Sequence, residues 1–282
     1  MELAWITGAN GLIGHEVCAA AAAYSQDWIA RPLARPELDL TDFAAVKRLF
    51  ERERPSLVIH CAALSKSTAC QADPPLARRL NVDVTANLTE LAAGVPFFFL
   101  SSDLVFDGQK GNYDETAAVN PLSVYGETKV AAEQIVLANP KHTVIRTSLN
   151  GGMSPTGDRG FNEEMRRAWQ DGRTLNLFTD EFRSPIPASA TARAIWELAG
   201  RETPGLYHVA GSQRLSRVEI GELLATRWPR LHPKIQPGSL RDYHGAPRAP
   251  DTSLNSSKAQ ALLSVPLPGL RDWLAAHPGE IF

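Results

Sequence analysis

The chain has 282 residues, which is enough to bury a sizeable core in one large domain or in two unequal ones. Its 29 basic and 31 acidic residues leave a net charge of −2, which gives no basic field for nucleic acid, and its apolar runs are too short or too interrupted to span a membrane. Three cysteines without a CxxC pair or a His/Cys cluster indicate neither a disulfide framework nor a metal site. We therefore expect a cytoplasmic protein with no nucleic-acid or membrane partner.

The first 150 residues alternate short apolar runs with segments of helical period. Strands are predicted at 3–7, 28–33, 56–62, 97–102 and 143–148, and helices at 11–24, 42–53, 75–93 and 122–138. Nearly continuous apolar strands separated by helices are typical of a parallel sheet covered on both faces. The predicted fold class is therefore α/β, with a doubly wound parallel sheet.

The pattern of predicted strands and helices changes after residue 150. A helix at 161–172, a strand at 175–178, a helix at 187–199, a strand at 205–211 and a helix at 216–228 are predicted, the last with Ser216 and Glu219 as a capping box. The proline-rich stretch 228–251 predicts a long ordered loop or lid, and short helices at 256–264 and 269–276 follow. We predict a dinucleotide-binding domain over 1–150 and a smaller C-terminal α/β substrate-binding domain over 151–282. Some of its segments, such as 187–211, are expected to return to the core of the first domain.

A glycine-rich turn follows the first predicted strand, in the stretch ITGANGLIGHEV. Gly8, Gly11 and Gly14 allow a tight turn, close approach of the backbone to a pyrophosphate, and close packing of the helix on the strand. The N-terminus of that helix then offers free N–H groups and a positive dipole end to phosphates. The pattern predicts dinucleotide binding, and the alternative is a purely structural turn.

The type of residue at the end of the second strand distinguishes NAD from NADP. An acidic residue there accepts hydrogen bonds from the ribose of NAD, whereas an arginine pairs with the 2′-phosphate of NADP. The stretch ARPLARPELDLTD contains Arg31 and Arg35 and no acid before Glu37. We therefore predict NADP(H) in preference to NAD(H), with Arg35 as the contact and with Asp39 and Leu40 near the adenine. The alternative for Arg35 is an ordinary exposed arginine.

Two further motifs carry candidate catalytic groups. The stretch SSDLVFDG follows an apolar strand, so Ser101, Ser102 and Asp103 emerge at the strand end where ligands of parallel sheets bind. In LSVYGETKVAAEQI, Tyr125 and Lys129 lie four residues apart, on one face of a helix. A neighbouring ammonium lowers the pKa of a phenol toward the range useful for proton transfer. The alternative is an exposed tyrosine beside a solvated lysine.

These motifs, together with DLTD at 39–42, HCAA at 60–63 and RTS at 146–148, resemble in order and spacing the extended short-chain dehydrogenase/reductases. Three later stretches, RSPIPASATARAIWEL, GLYHVAG and APRAPDTSLNSSK, resemble the substrate half of the dTDP-4-dehydrorhamnose reductase subfamily. The resemblance covers essentially the whole chain and implies a Rossmann-type sheet.

The resemblance also implies roles for individual residues. Tyr125 would donate a proton to a substrate carbonyl, Lys129 would lower the tyrosine pKa and hold the nicotinamide ribose, and Ser102 would hydrogen-bond the same carbonyl oxygen. Asn81 would hold backbone geometry. The implied cofactor contacts are Gly8, Asn10, Gly11, Leu12, Ile13, Arg35, Asp39, Leu40, Ala62, Ala63, Leu64, Tyr125 and Lys129. The implied substrate contacts are Ser65, Ser102, Asp103, Leu104, Leu149 and Arg248.

The chain departs from the subfamily pattern at two sugar contacts. Leu104 replaces the usual tyrosine and Leu149 replaces the usual tryptophan, which removes stacking surface for a hexose. Leu104 also stands where sugar-nucleotide dehydratases carry a glutamate after their aspartate, so dehydration is disfavoured.

Several other residues have competing interpretations. His60 and His208 each lie in or near an apolar strand and are interpreted as satisfied core histidines. Arg248 is interpreted either as a clamp for a substrate diphosphate or as a surface arginine. Glu133, four residues beyond Lys129, is expected to form a helix ion pair.

The leading hypothesis is an NADP(H)-dependent reductase of a nucleotide-linked 4-keto sugar. A sugar-nucleotide epimerase with tightly bound NAD is a second hypothesis. A third is a catalytically weak, NADP-binding regulatory subunit, because one relative of this subfamily serves a partner protein. The resemblance also implies a possible homodimer through the helices at 75–93 and 122–138.

Overall fold

The computed structural model describes residues 1–25, 27–201, 203–280 and 282. Its first half alternates strands and helices in the order β1 (Glu2–Thr7), α1 (Leu12–Tyr24), β2 (Trp28–Leu33), α2 (Phe43–Glu53), β3 (Leu57–His60), α3 (Ser67–Ala72), α4 (Pro74–Arg78), α5 (Val84–Leu91), β4 (Phe97–Ser102), α6 (Val124–Leu137) and β5 (His142–Thr147). A π-helical turn, Arg79–Asp83, joins α4 to α5, and a 3-10 turn, Asp103–Val105, follows β4.

The second half contains shorter elements. They are β6 (Asn150–Gly151), α7 (Phe161–Gln170), β7 (Thr174–Phe178), β8 (Phe182–Arg183), β9 (Ile186–Pro187), α8 (Ala188–Ala199), β10 (Gly205–Val209), β11 (Leu215–Ser216), α9 (Arg217–Ala225), β12 (Lys234–Gly238), α10 (Ser257–Gln260) and α11 (Leu270–Ala276). Two 3-10 turns, Pro229–Leu231 and Leu240–Asp242, flank β12.

Six parallel strands form the central sheet, in the order β10-β5-β4-β3-β1-β2. The predicted α/β class with a doubly wound parallel sheet is therefore confirmed. Thr7 is paired in register with His60, and Ser102 with Thr147, so the carboxyl ends of four neighbouring strands lie along one edge. In such a sheet this edge is where ligands bind.

Alternating side chains of β1 point to the two covered faces. Ala4 and Ile6 pack into a cluster with α1 and α8, which includes Trp196. Trp5 packs on the other face, in a cluster with residues of α2, α5 and α6, such as Val136. These five side chains of β1, α6 and α8 are at most 1% exposed, and each large apolar side chain buried in this way contributes roughly 1.5–3 kcal/mol. The sheet, with the edge formed by the carboxyl ends of its strands, thus lies between two packed layers.

The segment predicted as one helix at 75–93 is divided. Asp73 caps α4 by accepting from the Leu76 N–H, and the π turn then inserts before α5. The expected helix is therefore interrupted at Asn81, which lies in the π turn.

The proline-rich stretch contains a strand that the sequence did not predict. β12 pairs in parallel with β7, from Lys234 opposite Thr174 to Gly238 opposite Phe178. The predicted capping box of Ser216 and Glu219 at the start of α9 is confirmed. β10 lies beyond residue 150 yet joins the central sheet, and the division of domains at 150 remains a prediction.

Among the described residues, no helix combines the length and the apolar character needed to cross a bilayer. Leu76 of α4 and Leu137 of α6 are 42% and 40% exposed. They lie on the helices expected at a homodimer interface, and that interface remains a prediction.

Candidate active site

The glycine turn has the geometry that a phosphate-binding turn requires. Gly8 has φ +70°, and a Cβ there would lie 2.7 Å from the backbone nitrogen of Ala62. A Cβ on Gly14 would lie 2.3 Å from the carbonyl oxygen of Gly8, so only glycine lets α1 pack this closely on the turn. Gly11 is the N-cap of α1 and offers no side-chain cap to the first-turn N–H groups. These uncapped donors at the positive end of the helix fit the pyrophosphate of a dinucleotide.

The two arginines near the end of the second strand have different surroundings. Arg31 is ion-paired with Glu37 and with Glu53, the latter at 3.3 Å. Arg35 is exposed and makes no ion pair with any residue that the structure describes. Asp39 accepts hydrogen bonds from the Thr41 backbone N–H and hydroxyl, which are the main reasons that its pKa is lowered. Arg35 is therefore the arginine of this pair that is open to a phosphate.

Asn81 connects the loop after β3 to α6. Its side-chain oxygen accepts from the Leu64 N–H at 2.8 Å, and its amide nitrogen donates to the Leu64 carbonyl at 3.2 Å and to the Thr128 hydroxyl at 3.0 Å. Thr128 in turn donates to the carbonyl of Tyr125. The loop Ala62–Leu64, expected at the cofactor, is thus tied to α6 through one buried amide, as expected for a residue that holds backbone geometry.

Ser102, Tyr125 and Lys129 lie at the same edge of the sheet. Ser102 ends β4, while Tyr125 lies in the first turn of α6, which Ser123 caps. Lys129 donates from Nζ to the carbonyl oxygen of Leu100 at 2.6 Å, and Nζ lies 3.9 Å from the ring centroid of Phe99. The side chains of Tyr125 and Lys129 are largely buried.

Burial determines the pKa values of both residues. It lowers the pKa of Lys129 to about 7 against a weaker opposing effect of Glu133. It raises the pKa of Tyr125, and the Asp103 carboxylate raises it further, while the contact with Ser102 lowers it. The net shift of the Tyr125 pKa is upward because desolvation dominates, and a lowering contribution from Lys129 remains a prediction.

Glu133 does not pair with Lys129, contrary to the expectation of a helix ion pair. Both of its carboxylate oxygens accept from Arg146, the closest contact being 2.7 Å, and Ser101 donates to one of them. Glu133 and Arg146 are 3% and 4% exposed. The arginine comes from β5, on which α6 packs, so the pairing is a tertiary contact.

The carboxylate of Asp103 is a junction between the two halves of the chain. Ser102 donates to Oδ1 at 3.1 Å, and Ser148 and Thr252 donate to Oδ2 at 2.8 and 2.9 Å. Arg183 lies 3.8 Å from the same oxygen. Asp103 therefore holds the end of β4, the end of β5 and the C-terminal segment together.

The remaining substrate candidates differ in exposure and in the groups that they contact. Ser65 is exposed, and Leu104 and Leu149 are half-buried, with Leu149 packed against the apolar cluster of the second half. Arg248 donates to both oxygens of Glu181, at 2.9 and 2.8 Å, so it is an ion-paired residue and not a free surface arginine. Contact of these residues with a substrate remains a prediction.

His60 and His208 are confirmed as satisfied core residues. His60 contacts the Thr7 hydroxyl at 2.7 Å and the Thr85 hydroxyl at 3.1 Å, and His208 contacts the Tyr113 carbonyl at 3.0 Å. Burial lowers the pKa of His60 to about 3 and that of His208 to about 4, which keeps both rings neutral at physiological pH.

Sequence reasoning missed three charged residues of the site. Glu181, Arg183 and Arg217 lie close together, because the Arg183 guanidinium is 2.9 Å from Glu181 and the Arg217 N–H donates to the Glu181 carbonyl. The only sequence signal was Arg183 at the head of RSPIPASATARAIWEL. The other two residues precede β8 and open α9 without any motif of their own.

Comparison with known proteins agrees with this geometry. The family model described as "RmlD substrate binding domain" matches residues 1–277. Methionine adenosyltransferase 2 subunit beta from Xenopus laevis is 30% identical over 273 residues, covering 92% of this chain and 82% of that protein. The dTDP-4-dehydrorhamnose reductase of Sinorhizobium fredii is 29% identical over 283 residues, covering 95% and 93% of the two chains.

A solved structure shares the whole fold. The crystal structure of a hypothetical dTDP-4-dehydrorhamnose reductase from Sulfolobus tokodaii superposes with a TM-score of 0.83 at 28% identity, covering 96% of this chain and 99% of that one. The family model matches nearly the full length of the chain, which includes the glycine turn, the Ser102/Tyr125/Lys129 edge and the second half. The chain belongs to the RmlD family, the dTDP-4-dehydrorhamnose reductase-like branch of the extended short-chain dehydrogenase/reductases.

Proposed function

We propose that this protein is an NADP(H)-dependent reductase of a nucleotide-linked 4-keto deoxysugar. The observation that carries the proposal is the meeting of Ser102, Tyr125 and Lys129 at one edge of the sheet, beside a glycine turn with uncapped helix donors. Membership of the RmlD family and the similarity to a dTDP-4-dehydrorhamnose reductase support the substrate class.

Tyr125 is the proton donor in this proposal. Burial and Asp103 raise the pKa of its phenol, so the group is protonated at neutral pH but is a weaker acid than a free tyrosine until a positive charge stabilises the phenolate. NADPH, when bound, would supply the hydride. Lys129 lies one helical turn beyond Tyr125, and its pKa of about 7 lets it be charged at or below neutral pH, where a positive group favours loss of the tyrosine proton as the reaction proceeds.

Ser102 contributes a second polar group at the reacting carbonyl. Its hydroxyl accepts from the Leu104 N–H at 3.1 Å and donates to Asp103 at 3.1 Å, so its position is fixed before any substrate binds. Preorganised donors of this kind stabilise charge that develops on a carbonyl oxygen. A substrate oxygen would take the place of the Asp103 carboxylate as acceptor.

The preference for NADP(H) is part of the proposal. Arg35 is exposed and without an ionic partner in the described chain, whereas Arg31 is held by two glutamates. A guanidinium at the end of the second strand fits the 2′-phosphate. The leucines at 104 and 149 remove stacking surface, so we propose a substrate sugar other than the rhamnose precursor itself.

A second candidate is a non-catalytic subunit of a larger enzyme. The observation that favours it is 30% identity with methionine adenosyltransferase 2 subunit beta. On that candidate the site would bind dinucleotide without turnover, and a stoichiometric partner would co-purify with the protein.

The test is a panel of nucleotide-linked 4-keto sugars, with NADPH and NADH oxidation followed separately. The proposal predicts turnover on at least one sugar with a preference for NADPH. No turnover with measurable NADPH binding and a co-purified partner would favour the subunit. No net oxidation of NADPH with NAD retained through purification would instead indicate an epimerase.

A further inference from the structure

The Asp103 carboxylate is already occupied by groups of the protein. Oδ1 accepts from the Ser102 hydroxyl at 3.1 Å, and Oδ2 accepts from the hydroxyls of Ser148 and Thr252 at 2.8 and 2.9 Å. Arg183 supplies a positive charge 3.8 Å from Oδ2, and Asp103 is 5% exposed. A buried carboxylate with donors on both oxygens and a cation beside it is satisfied without a ligand. Asp103 therefore has no need of a substrate contact, although it lies at the edge where a substrate is expected.

Two hydrogen bonds fix the Ser102 hydroxyl, and Asp103 makes one of them. The serine oxygen accepts from the Leu104 N–H at 3.1 Å, and its single proton is donated to Oδ1 of Asp103. Without the carboxylate, only the Leu104 N–H would hold the hydroxyl, and its proton would have no fixed direction. Asp103 thus determines where the oxygen and the proton of Ser102 lie before a substrate arrives.

The other carboxylate oxygen connects this arrangement to the second half of the chain. The Ser148 hydroxyl, after β5, also accepts from the Ser184 N–H at 3.2 Å. Thr252 comes from the C-terminal segment, and its N–H donates to the Phe182 carbonyl of β8 at 3.3 Å. Both hydroxyl donors to Oδ2 are therefore held by β8 and the residues that follow it. The position of Ser102 consequently depends on residues that are distant in sequence.

Asp103 also acts on Tyr125, by charge and not by a hydrogen bond. Burial is the main reason that the pKa of Tyr125 is raised, and the negative charge of Asp103 raises it further. Cys70 acts in the same direction, whereas the contact with Ser102 lowers the tyrosine pKa. Asparagine in place of Asp103 would remove this charge together with the acceptor of the serine proton, so two separate effects on the reduction are expected.

We infer that Asp103 is a positioning residue for the reduction: it orients the Ser102 hydroxyl through Oδ1, ties it to the second half of the chain through Oδ2, and does not itself bind the substrate. This rests on the proposed function, in which Ser102 hydrogen-bonds the reacting carbonyl. When a carbonyl oxygen takes the serine proton, the two other hydroxyls and Arg183 still hold the carboxylate in place. The hydroxyl therefore meets the carbonyl from a fixed position, and a displacement of about 1 Å can cost roughly a hundredfold in rate.

The test is a double-mutant cycle on the turnover of a nucleotide-linked 4-keto sugar with NADPH. The kcat and the KM for the sugar are measured for wild type, Asp103→Asn, Ser102→Ala and the double variant. The change in kcat caused by Asp103→Asn should be at least about fivefold less favourable in the wild-type background than in the Ser102→Ala background, and the KM for the sugar should change less than about threefold. The effect of the Asp103 charge on Tyr125 is present in both backgrounds and cancels from this comparison.

Asp107→Asn serves as the matched control. Asp107 belongs to the same stretch of sequence and accepts three hydrogen bonds, from one backbone N–H and two side chains, but none from Ser102. Its effect on kcat should combine with that of Ser102→Ala additively, within about twofold. Equal coupling in the two cycles would show that Asp103 only supports the fold, and would overturn the inference.

Thr252→Val decides the question if Asp103→Asn fails to fold. It removes one donor to Oδ2 with little change of shape and none of charge, and its coupling to Ser102→Ala should have the same sign. A KM for the sugar raised roughly tenfold in Asp103→Asn, with kcat unchanged, would show direct substrate binding and would overturn the inference. No turnover by wild type on any sugar would overturn the proposed function together with this inference, whereas turnover with additive effects would overturn the inference alone.

Discussion

Replacing Lys129 by methionine tests a group of the candidate site whose pKa burial lowers strongly. Methionine has a similar length and no charge. Burial lowers the pKa of Lys129 from 10.5 to about 7 in the folded protein, while the unfolded chain keeps the ordinary value. Between these values the unfolded state binds more protons, so the wild-type protein gains stability as the pH rises through this window.

The size of this gain follows from the two pKa values. Between about pH 7 and about pH 9.5 the titration of Lys129 adds roughly 3 kcal/mol to the free energy of unfolding of the wild-type protein. Lys129→Met lacks this contribution, and groups such as Cys61 titrate in both proteins and cancel in the comparison. At neutral pH the variant should be the more stable protein, even after the loss of about 1 kcal/mol for the hydrogen bond to Leu100.

The assay is urea unfolding of the cofactor-free proteins at several pH values and constant ionic strength. The stability of wild type minus that of Lys129→Met should rise by roughly 3 kcal/mol over the window. Parallel stability curves would refute the reasoning, because they would mean that Lys129 keeps an ordinary pKa in the folded protein.

Three other substitutions test separate parts of the account. Arg35→Gln should raise the KM for NADPH roughly tenfold and leave that for NADH nearly unchanged, and an equal effect on both would remove Arg35 from the 2′-phosphate site. Glu133→Gln leaves the buried guanidinium of Arg146 without its carboxylate and should lower the free energy of urea unfolding by about 3–5 kcal/mol. The double variant with Arg146→Met should restore much of this loss. A Glu133→Gln variant as stable as wild type would contradict the pairing. Gly8→Ala must hold φ +70° with its Cβ 2.7 Å from the Ala62 nitrogen, so its melting temperature and NADPH affinity should both fall, and unchanged values would contradict the close approach.

The fold and the glycine turn were predictable because their signals are local. Strand and helix periods, the three glycines and the Ser216 capping box each depend on residues within a few positions of one another. The family resemblance supplied the candidate residues Ser102, Tyr125 and Lys129, which no single spacing could have done.

The remainder depends on contacts between distant segments. β12 forms only because β7 offers it an edge, and a proline-rich sequence by itself predicts a loop. Spacing alone favours Lys129 as the partner of Glu133, yet Arg146 lies nearer in the folded chain. Likewise, the spacing of Tyr125 and Lys129 carries no information about burial, and burial sets their pKa values.

The central claim is that Tyr125 donates the proton in the reduction of a sugar carbonyl. The most direct test is the rate of NADPH oxidation with a nucleotide-linked 4-keto sugar by wild type and by Tyr125→Phe, with NADPH binding measured in parallel. The account predicts a rate at least roughly a hundredfold lower for the variant, with cofactor binding retained. A variant that binds NADPH and turns over as fast as wild type would contradict it.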